Sequence, residues 1–368
     1  MMIVASVLCS LFAFLANGDD VSLVFAGDAM QHERQIVAAR TADGNYDYSD
    51  YFRHVSDYIS AADYAVVNLE CPLGGKPYAG YPCFSAPDAY AQALKDAGFD
   101  LFLLANNHCL DRRDAGLRRT LDVLDESDIP HVGTYRDAQE RQREYPFVAD
   151  VKGMKIGFLN YTYGTNGFVV QGNAVVDYID EDAIRKDIRD AKAKGAELIV
   201  ACMHWGDEYK LLQNKTQERL AAFLEAEGVD LIIGGHPHVV QPMGMRAGGT
   251  LVVYSLGNFI SGMRTADTRG GAMVRVTIGR RNGRPYVKDA AYRLVFVQDP
   301  AQSGDNYELI PADRPDLVRA DQRGMFKRFT DRARGVLDRR NLNVPEDAAV
   351  WYPVSLFPAI VKAGFGAE

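Results

Sequence analysis

Short, unbroken apolar runs rich in β-branched side chains recur along the chain, at residues 21–26, 64–69, 101–105, 155–161, 198–203, 231–234 and 251–256. Each is continuous rather than alternating, as expected of a strand buried on both faces. Helical patterns lie between many of them, at 50–62, 88–97, 117–124, 180–193 and 216–227. The first of these carries Tyr51, Val55, Tyr58, Ile59 and Ala62 at helical spacing. Strands alternating with helices predict an α/β fold, in which ligands bind outside the carboxyl ends of the strands. Residues 272–278 and 291–297 alternate instead, with no helix between them. They predict an antiparallel hairpin turning at Arg280-Arg281-Asn282-Gly283. From Arg314 the chain is polar with helical spacing, as expected of a segment packed on the outside.

Composition matters chiefly for what it excludes. The 368 residues are 47% hydrophobic and 24% charged, which rules out a disordered or low-complexity chain. The net charge is −8 and no basic run is present, so bulk charge does not suit the chain to nucleic acid or an anionic membrane surface. The function must sit in a local site. Residues 1–16 form an almost uncharged apolar block, too short for a membrane-spanning helix, which needs about 20 residues. Small residues flank Asn17 ahead of Asp19, so residues 1–18 read as a secretory signal, although no Lys or Arg precedes the apolar run. Leu8 precedes Cys9, where a lipoprotein would carry a small residue. The expectation is an exported protein of the cell envelope or exterior, associated with membrane only through this segment. No CxxC pair is present, which excludes a zinc ribbon. Cys71 and Cys83 flank a Gly/Pro-rich loop and are expected to pair in an oxidising compartment, whereas Cys109 and Cys202 read as buried thiols.

The polar residues that stand out fall where predicted strands end. Asp28 follows the first run, and Asn68 and Glu70 close the second. Asn106, Asn107 and His108 follow the third, with Asp111 three residues on. His204 and Trp205 end the fifth, His236 and His238 follow the sixth, and Asn258 follows the seventh. Taken singly, each has a plain structural reading. Asp28 could cap a helix, the histidines could be satisfied core residues, Trp205 could simply pack, and Asn258 could serve a turn. Together they would converge at one sheet edge, a carboxylate, imidazole and amide-oxygen set suited to a borderline divalent ion.

The order of these segments resembles the binuclear metallophosphoesterases, and in detail the CapA (PgsA-type) branch associated with capsular poly-γ-glutamate synthesis. The resemblance is carried by GDAM at 27–30, NLE at 68–70, NNHCLD at 106–111, HWGDEY at 204–209, GGHPHVVQP at 234–242 and YSLGNF at 254–259. It implies a four-layer α-β-β-α sandwich over residues 19–298, with a C-terminal extension, 299–368, packed on the same domain. It further implies one or two divalent ions (Mn, Zn or Fe). Asp28 and His238 would hold one, Asn107, His204 and His236 the other, and Glu70 would bridge them. Asp28, Glu70 and His238 should then lie nearer one another than to His204. His108 falls at the catalytic histidine, with Asp111 close enough to orient it. Two positions depart from the general pattern. Met30 stands where a metal-binding histidine is expected, with His32 two residues beyond, and the bridging residue is Glu rather than Asp. The implied role is poly-γ-glutamate (capsule) biosynthesis or processing through a metal-dependent hydrolase site. Its substrate would be a phosphoester or an anionic polymer, and its partner a polyglutamate synthase complex. The rival is a non-catalytic envelope scaffold that keeps the fold, favoured by Met30 and opposed by the retained Asn107-His108 pair.

Overall fold

The computed structural model describes residues 20–347, so the expected signal segment and Cys9 lie outside the described residues. The strands in chain order are β1 (Val21–Ala29), β2 (Tyr64–Leu69), β3 (Leu101–Leu103), β4 (His131–Val132), β5 (Thr134–Tyr135), β6 (Phe147–Val151), β7 (Met154–Thr162) and β8 (Val175–Val176). There follow β9 (Leu198–His204), β10 (Leu231–Gly235), β11 (Met243–Met245), β12 (Leu251–Val253), β13 (Asn258–Ile260), β14 (Gly270–Arg281), β15 (Arg284–Gln298) and β16 (Glu308–Pro311). The helices are α1 (Glu33–Ala39), α2 (Ser49–Phe52), α3 (Ser56–Ser60), α4 (Ala89–Asp96), α5 (Arg113–Glu126), α6 (Ala138–Glu144), α7 (Glu181–Ala193), α8 (Lys215–Ala226) and α9 (Arg323–Arg340).

The strands build two large sheets. One runs β16-β15-β14-β1-β2-β3-β4, with β13 also paired to β1, and the other runs β11-β12-β10-β9-β7-β6. Successive residues of β1 divide between two apolar cores. Val21, Leu23 and Phe25 pack with Ile156, Phe158, Val200 and Ile232 of the second sheet. Val24 and Ala26 pack with Tyr51, Ile59, Tyr90 and Leu121 of the helices on the opposite face. In β2 and β3, Val66, Leu101 and Leu103 likewise face the second sheet, while Val67 and Phe102 face the helices. Both faces are buried, which is why these runs read as unbroken rather than alternating. Ile184 and Ile188 of α7 and Leu220 and Leu224 of α8 join the core that includes the second sheet. The fold is the expected α/β arrangement of two sheets between helical layers.

Several expectations change in detail. The pattern at 50–62 divides into α2 and α3, because Val55 leaves the α region (φ −126°) and buries its side chain. The third run ends as a strand at Leu103; the Leu104 N–H is shared between the Val132 carbonyl (2.8 Å) and the side-chain oxygen of Asn160 (3.1 Å), and the Ala105 N–H turns to that same oxygen (2.8 Å). The seventh run ends at Val253, and Leu256 pairs with Val240 instead. The hairpin forms as expected, β14 against β15, with Asn282 and Gly283 at φ 52° and 78°, the left-handed pair that a tight two-residue turn demands. After Asp299 the chain stays on the same body: β16 extends the first sheet and α9 buries Phe329, Ala333 and Leu337. The expected Cys71–Cys83 pairing is not present. Both are free thiols, Cys71 being buried with its sulfur directed at the carbonyl of Ala29 (3.8 Å). Cys109 and Cys202 are buried, as expected. No helix among the described residues is long and apolar enough to cross a membrane.

Candidate metal centre

Parallel pairing brings the polar strand ends together. β1 lies beside β2 with Asp28 opposite Asn68, and β9 lies beside β10 with His204 opposite Gly235. The two sheets meet here. Asp28, Glu70 and Asn107 come from the first sheet's strand ends, and His204, His236 and His238 from the second's. All six are buried. Ligand atoms of Asp28, Glu70 and His238 lie within 4.8 Å of one another, and so do those of Glu70, His204 and His236. Glu70 is common to both groups. Its Oε1 is 3.5 Å from His204 Nε2 and 3.9 Å from His238 Nε2. It is therefore shared, and it lies nearer His204 than His238, which corrects the expectation that Asp28, Glu70 and His238 would lie nearer one another than to His204. Asn107 Oδ1 is 2.9 Å from His204 Nε2, which adds an amide oxygen to the second group.

The electrostatics suit a cation. Burial, then the neighbouring charge of Asp28, pushes the Glu70 carboxyl well above its usual range. Burial also acts to raise Asp28, but the hydrogen bond from His238 and the charges of His204 and His238 outweigh it and hold Asp28 below the carboxylate range. Two adjacent buried carboxylates can both stay ionised only if positive charge lies between them. Burial, then the charge of His236, drives His204 well below its usual value. Burial and the charge of His238 bring His236 down to about 3. Both imidazoles are thus neutral at neutral pH, the form that offers a lone pair. Glu70 Oε1 and His236 Nδ1 are among the buried atoms with no hydrogen-bond partner, and both belong to the Glu70–His204–His236 group. In a site this polar, such orphaned acceptors fit coordination to a metal ion.

Further amides hold the donor set in place, and the sequence did not single them out for this. Asn68 Nδ2 donates to Asp28 Oδ1 (2.8 Å) and approaches Glu70 Oε2 and His204 Nδ1 (3.4 Å each). Asn106 anchors Asn68 in turn through Nδ2 to Oδ1 (3.2 Å). Asn258 Oδ1 meets His238 Nδ1 at 3.0 Å while its Nδ2 donates to the Thr268 carbonyl. That bond makes Nδ1 the protonated nitrogen and leaves the lone pair on Nε2, toward Glu70. Both loop histidines take left-handed backbone, His236 at φ 95° and His238 at φ 59°.

Beside this set, His108 Nδ1 is 2.8 Å from Asp111 Oδ2, which also accepts the Phe84 N–H (2.8 Å). The expected acid and its orienting carboxylate are therefore in contact. Met30 is buried in the apolar core, and His32 belongs to neither ligand group. Trp205 packs, donating Nε1–H to the Tyr254 carbonyl (2.9 Å). The rings of Tyr163 and Tyr209 stand over His236 and His238 at centroid separations of 4.5 and 6.1 Å, both about half exposed, and neither was expected from the sequence.

Comparison with known proteins gives the family. Residues 22–263 match the family described as "Bacterial capsule synthesis protein PGA_cap". The capsule biosynthesis protein CapA of Bacillus anthracis is 30% identical over 285 residues, covering 73% of this chain and 66% of that protein. The PGA biosynthesis protein CapA of Bacillus subtilis is 30% identical over 275 residues, 73% of this chain and 70% of that one. Among solved structures, the calcineurin-like phosphoesterase YfkN of Bacillus subtilis aligns with 87% of this chain and 98% of its own, at 14% identity and a TM-score of 0.47. The chain belongs to the PGA_cap family of bacterial capsule synthesis proteins.

Proposed function

We propose that the protein is an exported, CapA-like hydrolase of capsule-polymer biosynthesis or processing, with a site built for two divalent metal ions. The observation that carries this reading is Glu70, common to two ligand groups and left with an unpartnered buried oxygen. Asp28, Glu70 and His238 would hold one ion, and Glu70, Asn107, His204 and His236 the other. Such ions activate water as a nucleophile and polarise a phosphoryl or carbonyl centre. Asp111 fixes the ring of His108 through Nδ1, which orients the opposite nitrogen, Nε2, to pass a proton to the departing oxygen. Asn68 and Asn258 hold the carboxylates and His238 at their angles. The substrate is a phosphoester or an amide-linked anionic polymer of the poly-γ-glutamate kind, and the partner a polyglutamate synthase complex.

A second reading, a non-catalytic scaffold, draws on Met30, which is packed into the core instead of offering an imidazole. One experiment separates the two. Protein purified without chelator is analysed for bound metal, then assayed on phosphodiester and γ-glutamyl substrates. Two equivalents of metal with turnover supports the hydrolase; metal-free, inert protein supports the scaffold.

A further inference from the structure

His32 lies four positions after Asp28, just before α1, and neither ligand group nor the acid uses it. Its Nδ1 accepts the backbone N–H of Gly262 at 3.2 Å. A backbone amide can only donate, so Nδ1 carries the lone pair and the neutral ring bears its proton on Nε2. This approach requires glycine at 262, where a Cβ would fall 2.7 Å from the Cβ of His32. The backbone N–H of His32 is tied to Gln35 Oε1 (2.9 Å), and Gln35 Nε2 in turn donates to the Met30 carbonyl (3.1 Å).

The ring is also braced against the catalytic machinery. It meets Phe84 edge-on at a centroid separation of 5.2 Å, and Phe84 meets His108 the same way at 4.6 Å. The N–H of Phe84 holds the same Asp111 oxygen that orients His108. Burial, then the charges of His238 and His108, brings His32 down to about 4, so the ring is neutral at neutral pH. The chain thus spends a glycine, a glutamine amide and an aromatic ring on one imidazole, whose Nε2–H finds no acceptor among the described residues.

We infer that His32 is a substrate-positioning residue, whose Nε2–H donates to an anionic oxygen of the group held at the metal centre. The ligand class is a tetrahedral oxyanion, as in a phosphoryl group. Position 32 thereby supplies an imidazole that position 30 lacks, directed at substrate rather than at metal. The inference rests on the metal-dependent reading above.

The test is calorimetric titration of inorganic phosphate into the manganese-loaded full chain, with metal content measured on the same samples. His32→Phe keeps a ring against Phe84 and removes the donor, and His32→Gln restores an N–H near the Nε2 position. The expected result is unchanged metal content in both variants, phosphate affinity about 10-fold weaker in His32→Phe, the scale of one charge-assisted hydrogen bond, and most of it regained in His32→Gln. Lost metal in His32→Phe would make His32 a ligand and overturn the inference, as would unchanged phosphate binding. A wild-type protein that binds manganese and phosphate but hydrolyses nothing overturns the hydrolase reading alone, because the phosphate titration still reports on His32.

Discussion

The most direct consequence of two adjacent buried carboxylates is a loss of stability with rising pH that one substitution should reduce. Without metal, Glu70 is held above its ordinary value of 4.5 by burial and by Asp28, so the folded state keeps a proton that the unfolded chain has released. Such a group contributes stability below pH 4.5, and that contribution drains away as pH rises toward the folded value. One extra proton on the folded state corresponds to about 1.4 kcal/mol lost per pH unit. Other shifted groups also titrate on unfolding. His204 and His236 are depressed below 6.5, so they add stability with rising pH only up to that point. Asp177, raised to about 7 mainly by burial, has finished titrating above it. Asp28 is ionised in both states well below it. The buried thiols of Cys71, Cys109 and Cys202 are raised as well, so unfolding releases their protons toward pH 9 in wild type and variant alike, and the difference between the two slopes isolates Glu70. Glu70→Gln replaces a protonated carboxyl with a neutral amide of similar shape. Chelator-treated wild-type protein should therefore lose Tm with rising pH more steeply than the variant, by on the order of 2–4 °C per pH unit where the folded state keeps the Glu70 proton. Saturating manganese should reverse the ranking. Ligand at about 100 times Kd adds about 2.7 kcal/mol to wild type, and the variant, missing the shared ligand, should gain little. Differential scanning fluorimetry across pH, with and without metal, measures both effects. Equal slopes in the two metal-free proteins, or equal stabilisation by manganese, would refute the reasoning.

Three further outcomes follow from the geometry. His108→Ala should keep wild-type metal content and Tm yet lose about 100-fold or more of any hydrolytic rate, as expected of a general acid, whereas His204→Ala should lose metal and rate together; elemental analysis beside steady-state kinetics checks both. Asn68→Ala removes the amide that touches Asp28, Glu70 and His204, and should weaken metal affinity by about 10–100-fold in a competition titration against a chromophoric chelator. Gly235→Ala places a Cβ 2.7 Å from Asp28 Oδ1, which should cost about 1–3 kcal/mol in denaturant unfolding and displace the carboxylate enough to lower metal occupancy.

Much of this was legible in the chain because burial on both faces of a sheet leaves a plain mark. β1, β2, β9 and β10 each read as unbroken apolar runs ending in a polar residue, and those ends are Asp28, Glu70, His204 and His236. What could not be read was contact between segments distant in sequence. Asn258 looked like a turn residue because its partner is set by β13 lying parallel to β1, with Asn258 opposite Asp28. Asn68 sat inside a recognised motif, yet its role depends on His204, 136 residues away. The cysteines failed for a related reason. A Gly/Pro-rich loop between two thiols says nothing about where their side chains point, and Cys71 points at Ala29. Motif order could name Glu70 as the bridging carboxylate but not its distances, and in space it lies closer to His204 than to His238.

The placement of the centre between two sheets also explains why the protein tolerates its strained loop. Asp28 Oδ2, from the first sheet, accepts the backbone N–H of His236 on the second (3.1 Å). Asn160 of the second sheet caps the N–H groups of Leu104 and Ala105 on the first. The carboxyl ends of the two sheets are therefore already latched to each other by buried polar bonds. A left-handed backbone at a residue other than glycine costs about 1–3 kcal/mol, and here His236 and His238 both adopt one. An extended loop would send their side chains along the strand direction. The two reversals instead turn both imidazoles toward Glu70, and the N–H released by the first is the one that Asp28 captures. The same residue thus supplies a candidate ligand and stabilises the turn that aims the others, so Asp28→Asn should disturb the loop and the metal site as a unit, with non-additive effects when combined with His236→Ala.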